Sequence, residues 1–132
     1  NGAKCYLVSG GFDVITGPVA ALCGFHDHHA NHMHVGDGKI LGTVQTPVLD
    51  RNAKAAYLAH YCKQHGIDPV DTATIGDGAN DLAMLQAAGM GVAFEGKALL
   101  LAEVAIQLNH TDLRGLLYLQ GYKDSDFVLE KI

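Results

Sequence analysis

The sequence lacks the features that mark three classes of protein. It has no clustered stretch of Lys and Arg, and its formal net charge of -5, with a pI near 5.8, argues against a nucleic-acid-binding surface. No apolar run approaches the length of a membrane span, and no signal peptide is visible. Cys5, Cys23 and Cys62 are odd in number and include no close pair, so we expect a reducing compartment, the cytoplasm, and no disulfide framework.

The composition is that of an ordinary globular domain. Hydrophobic residues make up 48% of the 132 residues and charged residues 17%, which argues against a disordered chain. Short apolar stretches alternate with helical patterns, which is typical of an α/β fold with a largely parallel sheet. We therefore predict a single domain over residues 1–132, with a partial Rossmann-like parallel sheet flanked by helices and a small β-hairpin at about 33–46.

Capping residues and turn formers mark the ends of the predicted elements. Asp50 is expected to cap a helix that runs to about His65, and Asn80 to cap one that stops at Gly89. Asp37-Gly38 is typical of a hairpin turn. The remaining predicted elements are strands over 5–8, 72–75, 91–94 and 104–108 and helices over 14–22, 97–104 and 112–119, the first of these helices being interrupted by Gly17 and Pro18.

Two glycine-rich polar clusters directly follow predicted strands. They are Ser9–Gly11 and Gly76–Asp81. Because ligands gather at the carboxyl ends of parallel strands, we expect both clusters at the same edge of one sheet. The Ser9 hydroxyl and the Gly10 N–H group are suited to holding phosphoryl oxygens, although a plain glycine turn explains the same letters.

Asp77, Asp81 and Lys54 form a second candidate group. Asp77 follows a strand between two glycines, and Mg²⁺ is commonly bound by one or two such carboxylates with water and substrate oxygens. Asp81, one helical turn further on, is placed to accept from Lys54 or from a metal-bound water. Lys54 lies in a first helical turn, where the helix dipole disfavours a cation, so it either pairs with another charge or extends to solvent over apolar surface. A glycine turn with an N-cap is the alternative for the cluster.

Five histidines fall within nine residues, at His26, His28, His29, His32 and His34. On one continuous strand, four of them would share a face, which would suit zinc or another metal that binds imidazole. A solvated stretch at the edge of the core explains the same pattern.

Longer stretches carry a resemblance to a known family. VSGGF (8–12), Lys54 and GDGANDL (76–82) resemble the second, third and fourth motifs of the haloacid dehalogenase superfamily. The order and spacing are most similar to the phosphoserine phosphatase family. The stretches that carry this closer resemblance, which reaches to Tyr122, are Cys23-Gly24-Phe25, Ala30-Asn31, DGKILG (37–42), IGDGANDLAML (75–85), AAGMGVAF (87–94) and DLRGLLYLQGY (112–122).

The resemblance implies a reaction and a set of residues. The reaction is phosphoryl transfer to an aspartate followed by hydrolysis of the aspartyl phosphate, with Mg²⁺ as cofactor and phosphoserine as substrate. Lys54 would neutralise charge on the phosphoryl group, and Asp81 would hold Lys54 or its surroundings. The residues that the resemblance assigns are Lys54 and Asp81 as catalytic side chains, Ser9, Gly10 and Asn80 for phosphate or substrate, and Asp77 for the metal.

One family motif does not occur in the sequence. The first motif, Asp-x-Asp-x-Thr/Ser, supplies the nucleophile in the family, and this sequence starts just before the second motif without an initial Met. We therefore expect an incomplete phosphatase core that is inactive alone and lacks the central strand and most of the cap. Its expected partners are a small phosphorylated substrate and either the missing N-terminal segment or a second copy bound through open sheet edges. A non-catalytic partial product that associates through those edges is the alternative function, and a histidine-based metal-binding module is another.

Overall fold

Strands and helices alternate along the chain in the computed structural model, which describes residues 2–128. The predicted domain also includes Asn1 and 129–132, which lie outside the described residues. The strands are β1 (Tyr6–Phe12), β2 (Asp27–Asn31), β3 (Met33–Gly36), β4 (Lys39–Val44), β5 (Ala73–Gly76), β6 (Met90–Phe94) and β7 (Ile106–Leu108). The α-helices are α1 (Asp13–Cys23), α2 (Arg51–His65), α3 (Leu82–Ala87), α4 (Ala98–Glu103) and α5 (Arg114–Leu119), with 3-10 turns at Pro69–Asp71, Ala79–Asp81 and Asp124–Asp126.

The parallel strands are divided between two sheets. One contains β1 and β2, joined through α1, and the other has the order β5-β6-β7, joined through α3 and α4. The predicted hairpin is β3 with β4, an antiparallel pair that stands as a third sheet. Among residues 2–128 no strand pairing joins β1 to β5, so the expectation of a single sheet is wrong. The fold class is confirmed, but the parallel strands form two sheets, because no described strand pairs with both. We call this break in strand pairing between β1 and β5 the slot.

Helix α2 begins and ends where the sequence predicts. The side chain of Asp50 accepts hydrogen bonds from the backbone N–H groups of Asn52 and Ala53, and so caps the first turn. Gly66 ends the helix in the left-handed conformation, with φ +63°, a conformation that glycine adopts without a steric cost. The helix therefore presents a fixed length of about 22 Å, from 15 residues at ~1.5 Å each.

Two helices differ from their predictions. Helix α1 runs without a break through Gly17 and Pro18, because Thr16 and Ala20 are buried against β2 and this packing overrides the weak local propensity. Asn80 does not cap α3. It lies inside the preceding 3-10 turn, where the Asp81 side chain accepts from the N–H groups of the turn instead.

The described residues bury few large side chains. The core cluster of Leu85, Ala93, Leu100 and Val104 lies between the β5-β6-β7 sheet and helices α3 and α4. The accessible surface is 9070 Å², whereas a compact monomeric protein of 14.0 kDa exposes about 6,700 Å². The excess includes large apolar side chains on α1, such as Leu22, which is 88% exposed. The chain therefore exposes more surface than a compact monomer of its mass.

Candidate active site

The first polar cluster sits on a distortion of β1. The strand is in register with β2 up to Val8, and pairing resumes only at Phe12 opposite Asn31. Three residues of β1, Ser9–Gly11, therefore lie opposite one residue of β2, Ala30, and are free of the regular ladder. The Ser9 hydroxyl oxygen accepts from the N–H of Gly11 at 3.0 Å, which leaves its own proton available to an acceptor outside the turn.

The second polar cluster is organised by Asp81. Its side chain is 3% exposed and accepts from the backbone N–H groups of Asp77, at 2.9 Å, and Gly78, at 3.1 Å. A Cβ on Gly76 would lie 2.5 Å from Cβ and Oδ2 of Asp81, so only glycine permits this close approach. The conformation of the turn and the position of the carboxylate therefore depend on each other.

Lys54 pairs with Asp81 instead of extending to solvent. Its Nζ donates to Asp81 Oδ1 at 2.5 Å, and its side chain is 13% exposed. Of the two possibilities for Lys54, a charge partner or extension to solvent, the structure therefore shows the charge partner. Since Lys54 lies in the first turn of α2 and Asp81 follows β5, the ion pair ties the helix to the second parallel sheet.

Asp77 and Asn80 remain on the surface of the turn. Both residues are exposed, and the Asp77 carboxylate has no hydrogen bond or ion pair with another residue in the described part of the chain. One free carboxylate fits the ligand preference of Mg²⁺, which commonly takes one or two carboxylates and completes its shell with water and phosphate oxygens. Residues 2–128 contain no group of three or more His, Cys, Asp or Glu side chains that could hold a metal.

Asn31 connects the first polar cluster to the segment just before α2, and sequence reasoning gave it no role of its own. Its buried side chain donates from Nδ2 to the carbonyl of Gly10, at 3.0 Å, and accepts at Oδ1 from the N–H of Leu49, at 2.8 Å. Leu49 lies just before α2, so Gly10 is held near the end of the helix that carries Lys54. An asparagine at a strand end gives no signal of such contacts, because both partners are distant in sequence.

The direction of α2 places both clusters at the same edge. Tyr6, at the amino end of β1, stacks on Tyr61 near the carboxyl end of the helix. Gly10 and Asp81 both lie by its amino end, through Asn31 and Lys54. The carboxyl ends of β1 and β5 therefore face the same side, as the sequence predicts, although the strands belong to different sheets.

The histidines do not form a metal site. Strand β2 ends at Asn31 and β3 starts at Met33, so the stretch is not one strand, and the described residues contain no metal-binding group of three. Each ring has its own partner: His26 with the Cys5 N–H, His28 with Thr16, His29 with Tyr61, His32 with Asp13 and His34 with Thr43. The described residues therefore give no support to the alternative of a histidine-based metal-binding module.

A surface pocket near the carboxyl end does not coincide with this site. It is lined by residues of the α5 region, among them Asp112, Arg114, Tyr118 and Phe127, and includes none of the predicted site residues. Its charged side chains already have partners: Arg114 forms a salt bridge with Asp112 at 2.8 Å, and Asp124 accepts from the Tyr118 hydroxyl. The candidate site is therefore defined by the polar groups that converge at the strand ends and not by this pocket.

The fold and the two clusters agree with a known family. Residues 1–86 match the profile of the haloacid dehalogenase-like hydrolases, and the chain belongs to this family of enzymes. Its relatives include the phosphoserine phosphatase of Haemophilus influenzae, to which it is 39% identical over 123 residues, covering 93% of this chain and 39% of that protein.

Two solved structures are similar to this chain in both sequence and fold. A substrate-bound phosphoserine phosphatase complex superposes with a TM-score of 0.82 at 38% identity, covering 88% of this chain and 55% of the other. A phospho-aspartyl intermediate analogue of phosphoserine phosphatase gives a TM-score of 0.80 at 38% identity, covering 86% of this chain and 55% of the other. The chain thus spans between 39% and 55% of the length of these relatives. No helix among the described residues is long and apolar enough to cross a membrane.

Proposed function

We propose that the intact protein hydrolyses phosphoserine to serine through an aspartyl-phosphate intermediate, with Mg²⁺ as cofactor. The observation that carries this proposal is the Lys54–Asp81 ion pair, at the same edge as the Ser9–Gly11 turn and the free Asp77 carboxylate. The substrate and the intermediate are taken from the two phosphatase structures that resemble the chain. The cytoplasmic location is proposed because Cys5, Cys23 and Cys62 form no disulfide.

Within this proposal, the chain supplies the groups that bind and neutralise the phosphoryl group. The Ser9 hydroxyl donates to a phosphoryl oxygen while its own oxygen accepts from Gly11, and the Gly10 N–H adds a second donor. The Lys54 ammonium lowers the cost of negative charge that builds up during transfer. Asp81 holds Lys54 in place and has no free oxygen for chemistry of its own. Asn80, exposed on the same turn, orients the phosphate.

Asp77 is the residue that would hold Mg²⁺. When bound, Mg²⁺ would offset the charge of the phosphate and help to orient it. The Asp77 side chain suits this role because it is exposed and unpaired among the described residues, while Asp81 is buried under three donors. We expect weak Mg²⁺ binding by this chain alone and its loss in Asp77→Ala, since a single carboxylate gives little affinity.

The nucleophile is proposed to come from a segment outside this sequence. Neither aspartate of the 76–81 turn is available, because one is assigned to the metal and the other is committed to Lys54. The slot between β1 and β5 is where an additional parallel strand would find two open edges, and its carboxyl end would reach both polar clusters. A strand there would deliver an aspartate to the phosphoryl group.

The proposal is tested by adding the upstream segment. The 132-residue chain alone should show essentially no turnover of phosphoserine with Mg²⁺, and the chain fused to or mixed with its upstream segment should be active. In the restored protein, Lys54→Ala and Asp77→Asn should each lower kcat at least ~100-fold. Tyr122→Phe, outside the site, serves as the matched control. Mg²⁺-dependent turnover by the 132-residue chain alone, at a rate that the Asp77→Asn variant loses, would contradict the assignment of the nucleophile.

A second candidate function is a non-catalytic chain that associates through its open edges. The observations that favour it are the two unpaired strand edges at the slot and the exposed apolar side chains of α1. Self-association of the chain alone is expected for both candidates. They differ because, for a non-catalytic chain, the upstream segment would not restore activity.

A further inference from the structure

Three elements meet in a cluster of aromatic, imidazole and carboxylate side chains that the proposed reaction does not use. We call this cluster the clasp, and its members are Tyr6 from β1, Asp27 and His29 from β2, and Tyr57, Tyr61 and His65 from α2. Tyr6 stacks on Tyr61 with ring centroids 3.5 Å apart and an interplanar angle of 10°. His29 stacks on Tyr57 at 3.9 Å and 14°. The clasp therefore joins α2 to both strands of the first sheet.

Hydrogen bonds connect the same rings. The Tyr61 hydroxyl donates to Asp27 Oδ2 at 3.3 Å and lies 2.5 Å from Nε2 of His29. Because the Tyr61 hydroxyl donates its proton to Asp27, its oxygen can only accept from His29. Both hydrogen bonds therefore form when Nε2 of His29 carries a hydrogen. The Tyr6 hydroxyl lies 2.5 Å from Nε2 of His65, one turn further along α2. Because the rings are both stacked and hydrogen-bonded, they constrain the rotation of α2 about its axis as well as its distance from the first sheet.

The clasp lies on the same face of α2 as Lys54. Tyr57, Tyr61 and His65 follow Lys54 at three, seven and eleven residues, which is the spacing of one helical stripe. One end of the stripe is fixed to Asp81 of the second sheet and the other to the first sheet. Helix α2 therefore contacts both parallel sheets, which no described strand pairing joins.

We propose that the clasp is a proton-sensitive device that fixes α2 across the slot and thereby positions Lys54 beside the phosphate-binding edge. Its part in catalysis rests on the proposed function, but its effect on Lys54 does not. The six members act as positioning residues, because none of them lies at the polar edge formed by Ser9–Gly11 and Gly76–Asp81.

Charges around the clasp set the direction of its response to pH. Burial lowers the pKa of His29 below its usual value of 6.5, against the opposing effect of the Asp27 carboxylate. The titratable groups that face this ring are Asp27 and His28 from β2 and Tyr57, His60 and Tyr61 from α2. As the pH falls below 6.5, the unfolded or released ring takes up a proton before the clasped ring does, so the clasp weakens with acidification. Burial, helped by Asp27, raises the pKa of Tyr61 to about 12, so stability from this hydroxyl is present below pH 10 and is lost as the pH rises through about 12.

Lysine labelling measures the position of Lys54 without any need for activity. The full chain is acetylated with a limiting reagent at pH 8, and the labelling rate of Lys54 is compared with that of Lys63, which is exposed on the same helix. Tyr61→Phe keeps the stacked ring and removes the hydroxyl, and it should raise the ratio of the two rates about fivefold, as expected for the loss of one hydrogen bond. Tyr122→Phe should leave the ratio unchanged.

Hydrogen exchange of α2 tests the response to protons. Between pH 7.5 and 5, after correction for intrinsic rates, protection of the 51–65 amides should fall in the wild-type chain. His29→Gln places a donor near the position of Nε2 without a titrating ring, so its protection should change less than half as much over the same range. An unchanged Lys54 ratio in a folded Tyr61→Phe variant overturns the proposal. If that variant does not fold, an equal pH response of the wild-type chain and His29→Gln overturns it. Failure of the proposed phosphatase reaction would leave both readouts intact.

Discussion

At the scale of single residues, the site depends on the contrast between two aspartates four positions apart. Asp81 is 3% exposed and accepts from a lysine and two backbone N–H groups, so its charge is balanced within the fold. Asp77 is exposed, and its carboxylate is unpaired among residues 2–128. The first arrangement stabilises a structure, whereas the second leaves a ligand available. Two residues of the same type therefore have different roles, because Asp81 is buried and Asp77 is exposed.

The contrast predicts different costs for the same chemical change. Asp81→Asn leaves the Lys54 ammonium largely buried without its counter-charge and should lower the free energy of unfolding by about 3 kcal/mol. Asp77→Asn changes an exposed carboxylate and should stay within ~0.5 kcal/mol of the wild type. Urea denaturation of the full chain at pH 7 measures both. Equal losses in the two variants would show that the Lys54–Asp81 pair contributes no more than a surface charge.

Two glycines of the same turn provide a second matched comparison. A Cβ on Gly76 meets the buried Asp81 side chain, which cannot move without losing its three donors, so Gly76→Ala should cost about 2 kcal/mol. A Cβ on Gly78 meets Oδ1 of Asn80 at 2.7 Å, and this exposed side chain can rotate away. Gly78→Ala should therefore cost less than half as much in the same urea experiment. The reverse order would mean that the turn is not built around Asp81.

At the scale of elements, α2 joins the two parallel sheets, whereas each strand pairing lies within one sheet. Its cap is local in sequence, and Asp50→Ala should destabilise the chain by about 1 kcal/mol through loss of the two bonds to Asn52 and Ala53. Asp71→Ala is the control, since this exposed aspartate lies in a 3-10 turn that is capped by Asp68. The variants are compared by thermal and urea unfolding. A cost for Asp71→Ala as large as that for Asp50→Ala would contradict the capping role.

The elements also show which parts of the structure the sequence could predict. The bounds of α2 and the hairpin turn depend on Asp50, Gly66 and Asp37-Gly38, whose effects act over a few residues, and these predictions are confirmed. The partners of the histidines and the contacts of Asn31 depend on residues up to 32 positions away, so periodicity gave the wrong grouping for the first and no signal for the second. The helix dipole left two possibilities open for Lys54, a charge partner or extension to solvent, and the family resemblance implied Asp81 as the partner that the structure shows. The open sheet edges were expected from the absence of the first family motif, but the expectation that β1 and β5 lie in one sheet was wrong, because no described strand pairs with both.

At the scale of the whole molecule, the slot and the exposed apolar surface belong together. The chain exposes 9070 Å², and among its described residues the open strand edges of β1 and β5 face the slot. Unpaired parallel edges invite further strands, either from another segment or from a second copy. Helix α2 is held to the first sheet by the clasp at one end and to the second sheet by Asp81 at the other. The slot thus offers two strand edges at which one more strand could pair.

Filling that position should change association and stability at the same time. The 132-residue chain should self-associate in sedimentation measurements, because its strand edges can pair between copies. Addition of the upstream segment should give a species with one copy of each part and raise the melting temperature by more than 5 °C, since closing two edges buries apolar surface worth several kcal/mol. A version of the segment with proline in the middle of its strand is the control, because it cannot donate to the ladder. If the proline version raises the melting temperature as much as the unaltered segment does, the added stability comes from a surface other than the slot between β1 and β5.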